Sequence, residues 1–128
     1  MRIEHVALWT PDIERLRGFY ERAFGATANA RYESRSTAGF ASHFLGFPDG
    51  GARLELMQLP VLEPAPHHPA CGYAHIAISV GSREQVDAIT DALRRDGVPI
   101  RSAPRLTGDG YYEAVVEDPD GNQIEITV

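Results

Sequence analysis

The sequence predicts an α+β fold made of two tandem βαβββ modules. Three observations predict it. The first is a repeat at a spacing of 70 residues: "HVAL" (5–8) overlays "HIAI" (75–78), and "RLELM" (53–57) overlays "QIEIT" (123–127). The second is a helical pattern of apolar residues after the first strand of each half. The third is an Asp/Pro/Gly turn ahead of each last strand, "FPDGG" (47–51) and "DPDGN" (118–122). A chain of 128 residues, 43% hydrophobic and 23% charged, fits one domain spanning 1–128. Module one covers about 1–60 and module two about 73–128, with the proline-rich stretch 61–72 as the linker.

The first strand is "RIEHVALWT" (2–10), an apolar run interrupted by His5. Alternation puts Val6 and Leu8 on one face and His5, Ala7 and Trp9 on the other. In the helix that follows, Thr10 is read as the N-cap, Pro11 suits the first helical position, and Asp12 favours the positive end. Ile13, Leu16, Phe19, Tyr20, Ala23 and Phe24 recur at helical spacing, and Gly25 ends the helix. Three strands are expected near 27–34, 40–47 and 52–59. On the last of them Leu54 and Leu56 oppose Glu55 and Met57.

The second module repeats this order. In "YAHIAISV" (73–80), Ile76, Ile78 and Val80 oppose His75, Ala77 and Ser79. Ser82 and Gln85 form a capping-box pattern, Val86, Ile89 and Leu93 make the buried stripe, Arg94 and Arg95 occupy the last turn, and Gly97 ends the helix. Strands near 98–103, 111–117 and 123–128 complete the module, with Ile124, Ile126 and Val128 opposite Glu125 and Thr127.

The apolar strand faces must pack on the amphipathic helices. The opposite face of each sheet then carries one His, one Glu and small residues such as Ala7, Ala77 and Ser79, which is how a pocket wall reads. One His and one Glu cannot complete a metal site. His5, Glu55, His75 and Glu125 together supply two imidazoles and two carboxylates, a set that suits one divalent ion such as Ni, Zn, Co, Mn or Fe. Each His–Glu pair is separated by 50 residues. His43, matched to Glu113 at the same shift of 70, is expected to share the pocket wall without binding metal. His67 and His68 are read as solvated linker residues. In "LTGDGYYEAVV" (106–116), Gly108 and Gly110 suggest a flexible loop from which Tyr111 or Tyr112 covers the pocket, with a plain hairpin and one packed tyrosine as the other reading.

Other chemistries are excluded. All twelve basic residues are arginine, so a lysine Schiff base and a Walker lysine are absent. No basic run favours nucleic acid in a chain of net charge −6. Cys71 is the one cysteine, so no internal disulfide forms, which suits the cytoplasm. No apolar stretch is long enough to span a membrane.

The segments "IEHVALWTPDIERLRGFYERAFG", "RLEL", "YAHIAISV" and "VVEDPDGNQIEI" resemble the vicinal oxygen chelate superfamily, which contains glyoxalase I, epimerases, extradiol dioxygenases and the fosfomycin and bleomycin resistance proteins. The resemblance spans essentially the whole chain. It implies a cupped mixed β-sheet around a central metal site, and His5, Glu55, His75 and Glu125 match the ligand set of glyoxalase I. The implied activity is that of a glyoxalase-type lyase or isomerase: a substrate chelates the metal through adjacent oxygens, an enediolate is stabilised, and a carboxylate moves a proton between neighbouring carbons. Glu125 is the implied main base and Glu55 the opposing one. A hemithioacetal of methylglyoxal and a thiol is the implied substrate, and a homodimer the implied assembly. Two other readings share the fold: a metal-free small-molecule binding or resistance protein, and a non-haem iron dioxygenase.

Overall fold

The computed structural model describes residues 1–63 and 71–128. His67 and His68 lie outside the described residues. The chain forms two compact units, Met1–Ala65 and Pro66–Val128.

The first unit runs β1 (His5–Trp9), α1 (Ile13–Phe24), β2 (Thr27–Ala28), β3 (Tyr32–Glu33), β4 (Ala41–Gly46) and β5 (Arg53–Gln58). Its sheet has the order β1-β5-β4-β2, with β3 also paired to β4. β1 and β5 are parallel, and β4 and β5 antiparallel. Residues paired across strands share a face. Val6, Leu54 and Leu45 therefore form one row under α1, and Leu8, Leu56 and His43 another. α1 covers those rows with Ile13, Leu16, Phe19, Tyr20 and Phe24, all buried. The opposite face carries the rows Ala7–Glu55–Phe44 and Trp9–Met57–Ser42–Tyr32.

Two details of this unit depart from expectation. The N-cap of α1 is Asp12, not Thr10: the Asp12 Oδ1 accepts from the Arg15 backbone N–H at 3.0 Å. Pro11 holds Thr10 in extended backbone, and the Thr10 hydroxyl accepts from the Asp12 N–H one step before the helix. Gly25 ends the helix as expected, at φ 64°, a left-handed conformation that a side chain resists. The strand expected over 27–34 is broken into β2 and β3. The cause is Asn29. Its side-chain Oδ1 accepts the Phe44 N–H at 2.7 Å, and its main-chain carbonyl turns to His43 Nδ1 at 2.9 Å. The pairing with β4 slips by one residue across that break, from Ala28↔Leu45 to Tyr32↔Ser42.

The second unit runs β6 (Ile76–Ser79), α2 (Arg83–Arg95), β7 (Ile100–Leu106), β8 (Tyr112–Glu117) and β9 (Gln123–Thr127), with sheet order β6-β9-β8-β7. β6 and β9 are parallel, as β1 and β5 are. Ser82 caps α2 by accepting from the Gln85 N–H. Val86, Thr90 and Leu93 are the buried stripe on Ala114, Val116, Ile124 and Ile126. The Thr90 hydroxyl is satisfied by the Val86 carbonyl one turn back. Pro104 is tolerated because β7 is an edge strand whose register is irregular between Ser102 and Arg105.

The two halves are thus mixed α+β copies of one βαβββ plan, but the repeat is not uniform. Ala7 pairs with Glu55 and Ala77 with Glu125, which preserves the spacing of 70. Phe44 pairs with Glu55, whereas Val115 pairs with Glu125, so β4 matches β8 at a spacing of 71. The turns agree with this: Gly50 N–H bonds Phe47 O, and Gly121 N–H bonds Asp118 O. Module two is one residue longer before β8, and module one is one residue longer after its turn. The two differences cancel.

Candidate functional site

That single-residue shift decides where His43 points, because side chains on a strand change face with every residue. The structural counterpart of Glu113 is Ser42, and that of His43 is Ala114. His43 therefore lies under α1 rather than on a pocket wall, 2% exposed. Its Nδ1 bonds Asn29 O at 2.9 Å, and its Nε2 lies 3.4 Å from Glu14 Oε1. Glu14 also takes Arg31 at 3.1 Å. Its carboxyl lies below the usual value: desolvation, the largest influence, pushes it up, but hydrogen bonds from Arg31 and His43 and the nearby Arg17 charge pull it down. Glu113 does stand on the open face, as expected, 3.4 Å from Arg105.

The tyrosines divide between the two readings of their segment. Thr107 N–H bonds Tyr111 O at 2.8 Å and Gly110 N–H bonds Thr107 O at 3.0 Å, which closes an ordinary hairpin turn. Tyr112 is the packed tyrosine. Its hydroxyl donates to Asp87 on α2 at 2.8 Å, and the Arg83 guanidinium sits over its ring. Tyr112 thus belongs to the helix side and does not cover the open face. Tyr111 is exposed.

The four ligand-type residues are arranged as two matched pairs. In the first unit His5 Nε2 lies 3.7 Å from Glu55 Oε2. In the second His75 Nε2 lies 3.5 Å from Glu125 Oε2. The imidazoles keep 40% and 42% of their surface, and the carboxylates 15% and 18%, so the two sites match in exposure as well as distance. Parallel pairing produces each pair. β1 beside β5 sets Ala7 against Glu55, and the alanine leaves the carboxylate room to reach His5 two residues back; Ala77 does the same for Glu125 and His75. Among the described residues no three such side chains gather in one metal-sized cluster.

The donor chemistry of each pair fits a divalent ion. Nitrogen and carboxylate-oxygen donors of a zinc-sized ion stand about 2 Å from it and so about 3–3.5 Å from each other. The observed separations are close to that and too long for a hydrogen bond. Glu125 is electrostatically the more unusual carboxylate. Burial is the main influence raising its pKa, the neighbouring Glu113 carboxylate adds to it, and His75 opposes.

The surroundings of the two histidines differ. His5 Nδ1 bonds Glu4 Oε2, and Glu4 is held by the Arg53 guanidinium. These contacts, His5 first and Arg53 second, hold the Glu4 carboxyl below the usual range. Arg53 lies 4.3 Å over the Phe44 ring, and Phe44 meets His5 edge-on at 5.3 Å. Sequence reasoning passed over Glu4. Its signal was its place next to His5, one residue before β1. Beyond Ala7 on the same face lies Trp9, edge-on to Phe40 at 6.2 Å. Among the described residues no helix is long and apolar enough to cross a membrane.

Residues 2–126 match the family model of the Glyoxalase/Bleomycin resistance protein/Dioxygenase superfamily. The chain is 33% identical over 133 residues to the lactoylglutathione lyase of Haemophilus influenzae, covering 98% of this chain and 90% of that protein. Its fold is similar to the trypanothione-dependent glyoxalase I of Leishmania major, with a TM-score of 0.78 and 27% identity over 99% of this chain and 86% of that one. It is also similar to a glyoxylase/bleomycin resistance protein/dioxygenase domain from Frankia, with a TM-score of 0.84 at 16% identity over 99% of this chain and 90% of that one.

Proposed function

The chain belongs to the Glyoxalase/Bleomycin resistance protein/Dioxygenase superfamily, and on that premise we propose that it is a metal-dependent lyase or isomerase of glyoxalase I type. The observation that carries this reading is the duplicated pair: each half aims an imidazole Nε2 and a carboxylate Oε2 at one point on the face opposite its helix. His5, Glu55, His75 and Glu125 are the proposed ligands of one divalent ion, Ni, Zn, Co, Mn or Fe, with the two halves drawn from one chain or from two copies. When bound, the ion supplies Lewis-acid stabilisation of negative charge on two adjacent substrate oxygens.

The remaining chemistry belongs to the side chains. Glu125 takes a proton from the substrate carbon and returns it to the neighbouring one; its raised affinity for protons suits a base that must hold one between two steps. Glu55 is the proposed opposing base. The likeness to a lactoylglutathione lyase supports a hemithioacetal of methylglyoxal and a thiol as substrate. We also infer a homodimer and a cytoplasmic location.

The test is metal analysis and a reconstitution assay. Purified protein is expected to hold about one ion per chain, and His5→Ala and His75→Ala to lose it. Loaded with each of the five metals, it is expected to turn over methylglyoxal with glutathione or another thiol. Binding of a small molecule with no metal uptake would establish the metal-free reading instead. Oxygen consumption with a catechol would establish the dioxygenase.

A further inference from the structure

We propose that Glu4, clamped by Arg53, is a positioning residue that locks the His5 imidazole as its Nδ1–H tautomer and so leaves the Nε2 lone pair aimed toward Glu55. The inference rests on the reading of His5 as a metal donor for its purpose, though not for its test.

The argument begins with donors and acceptors. An ionised carboxylate only accepts, and a neutral imidazole has one N–H and one lone pair. His5 Nδ1 is hydrogen-bonded to Glu4 Oε2. Nδ1 therefore carries the hydrogen, and Nε2 carries the lone pair. Nε2 in turn faces Glu55 Oε2 at 3.7 Å, outside hydrogen-bonding range. Two acceptors facing one another across that gap suit a cation between them. A carboxylate behind a ligand imidazole also raises its basicity and fixes its plane.

Glu4 is itself held in place. The Arg53 N–H donates to the Glu4 carbonyl at 3.0 Å, and the Arg53 guanidinium bonds the Glu4 carboxylate. The β1–β5 register sets Arg53 directly opposite His5. Phe44 closes the ring, lying under Arg53 and edge-on to His5. The four side chains His5, Glu4, Arg53 and Phe44 thus form a closed circuit in which each touches the next.

Among its described residues the second unit has no such circuit. Ala74, Gln123 and Val115 occupy the places of Glu4, Arg53 and Phe44, so no carboxylate stands behind His75 there. The circuit is not a requirement of the fold, because the same plan folds without it. It makes the two histidines unequal: His5 is preorganised, and His75 is left freer.

The experiment reads the tautomer and the metal separately. Long-range ¹H–¹⁵N correlation on metal-free protein near about pH 8, where imidazoles are generally neutral, should show His5 as Nδ1–H. Glu4→Ala should shift His5 toward Nε2–H and leave His75 unchanged. Titration with nickel should then show an affinity about 10–100-fold weaker in Glu4→Ala. Glu4→Gln, which keeps an acceptor but no charge, should restore the tautomer and part of the affinity. A wild-type His5 found as Nε2–H, or a Glu4→Ala variant with tautomer and affinity unchanged, overturns the proposal. A wild-type chain that binds no nickel overturns the metal reading, while an Nδ1–H His5 that depends on Glu4 still upholds the positioning.

Discussion

Two strand histidines, alike as letters, differ in every physical respect that matters. His5 faces away from the helix beside a carboxylate and keeps 40% of its surface; His43 lies under α1 with both ring nitrogens engaged. His43→Ala is expected to lower the unfolding free energy by about 2–4 kcal/mol in urea titrations, from the cavity and the orphaned Asn29 carbonyl, while metal affinity stays within about twofold. His5→Ala should do the reverse. The distinction was half legible. Spacing and alternation singled out His5, Glu55, His75 and Glu125 as a matched set, and the strand pairing keeps Glu55 and Glu125 on the face of each sheet away from its helix. The direction of His43 depended on a register that a uniform offset of 70 misassigned. Asp118 offers a test at this scale through pH. Burial raises its pKa, against hydrogen bonds from Asn122 and the Asp120 and Asn122 backbone. The native state therefore binds more protons than the unfolded chain between the two pKa values, and stability falls as pH rises through that window. Asp118→Asn is expected to remove that decline, measured as a flatter or rising stability between about pH 4 and the raised native value.

At the scale of elements, the turns before β5 and β9 explain what sequence comparison missed. "FPDG" matches "DPDG" at 71, not 70, and the signal was present in those two turns. Module one then spends one extra residue between Gly50 and Arg53. Deleting Ala52 should therefore leave a turn of module-two length and a cooperative thermal transition, with stability changed by about 1 kcal/mol or less. Deleting Phe44, inside β4, should instead reverse the faces on one side of the deletion and abolish the cooperative transition, seen as a lost near-ultraviolet circular dichroism signal. The helix ends were legible where one residue dominates, as at Gly25 and Ser82. They were misread by two positions at Thr10, where two capping residues flank a proline and only Asp12 reaches the third helical N–H. Gly25→Ala should lower stability by about 1 kcal/mol, because φ 64° is strained for any side chain although Pro48 leaves room for a methyl.

For the whole molecule, duplication is the organising fact, and it was visible because both copies keep the same apolar rows under their helices. What each copy does with its open face was less visible, since those positions are released from the demands of a core. The row Trp9–Met57–Ser42–Tyr32 in the first unit corresponds to Ser79, Thr127, Glu113 and Arg105 in the second, aromatic against polar. Metal linkage gives a test that involves the entire chain. Nickel at about one hundred times its dissociation constant should stabilise the fold by about 2.7 kcal/mol, a chelator should reverse the shift in melting temperature, and His5→Ala should show none. Trp9, 48% exposed, is the single tryptophan of the chain and stands one row, about 7 Å, from Glu55. Its counterpart Ser79 is optically silent. The protein therefore carries a built-in fluorophore on one half alone, whose emission can report in real time, without labelling, when a molecule settles beside that carboxylate.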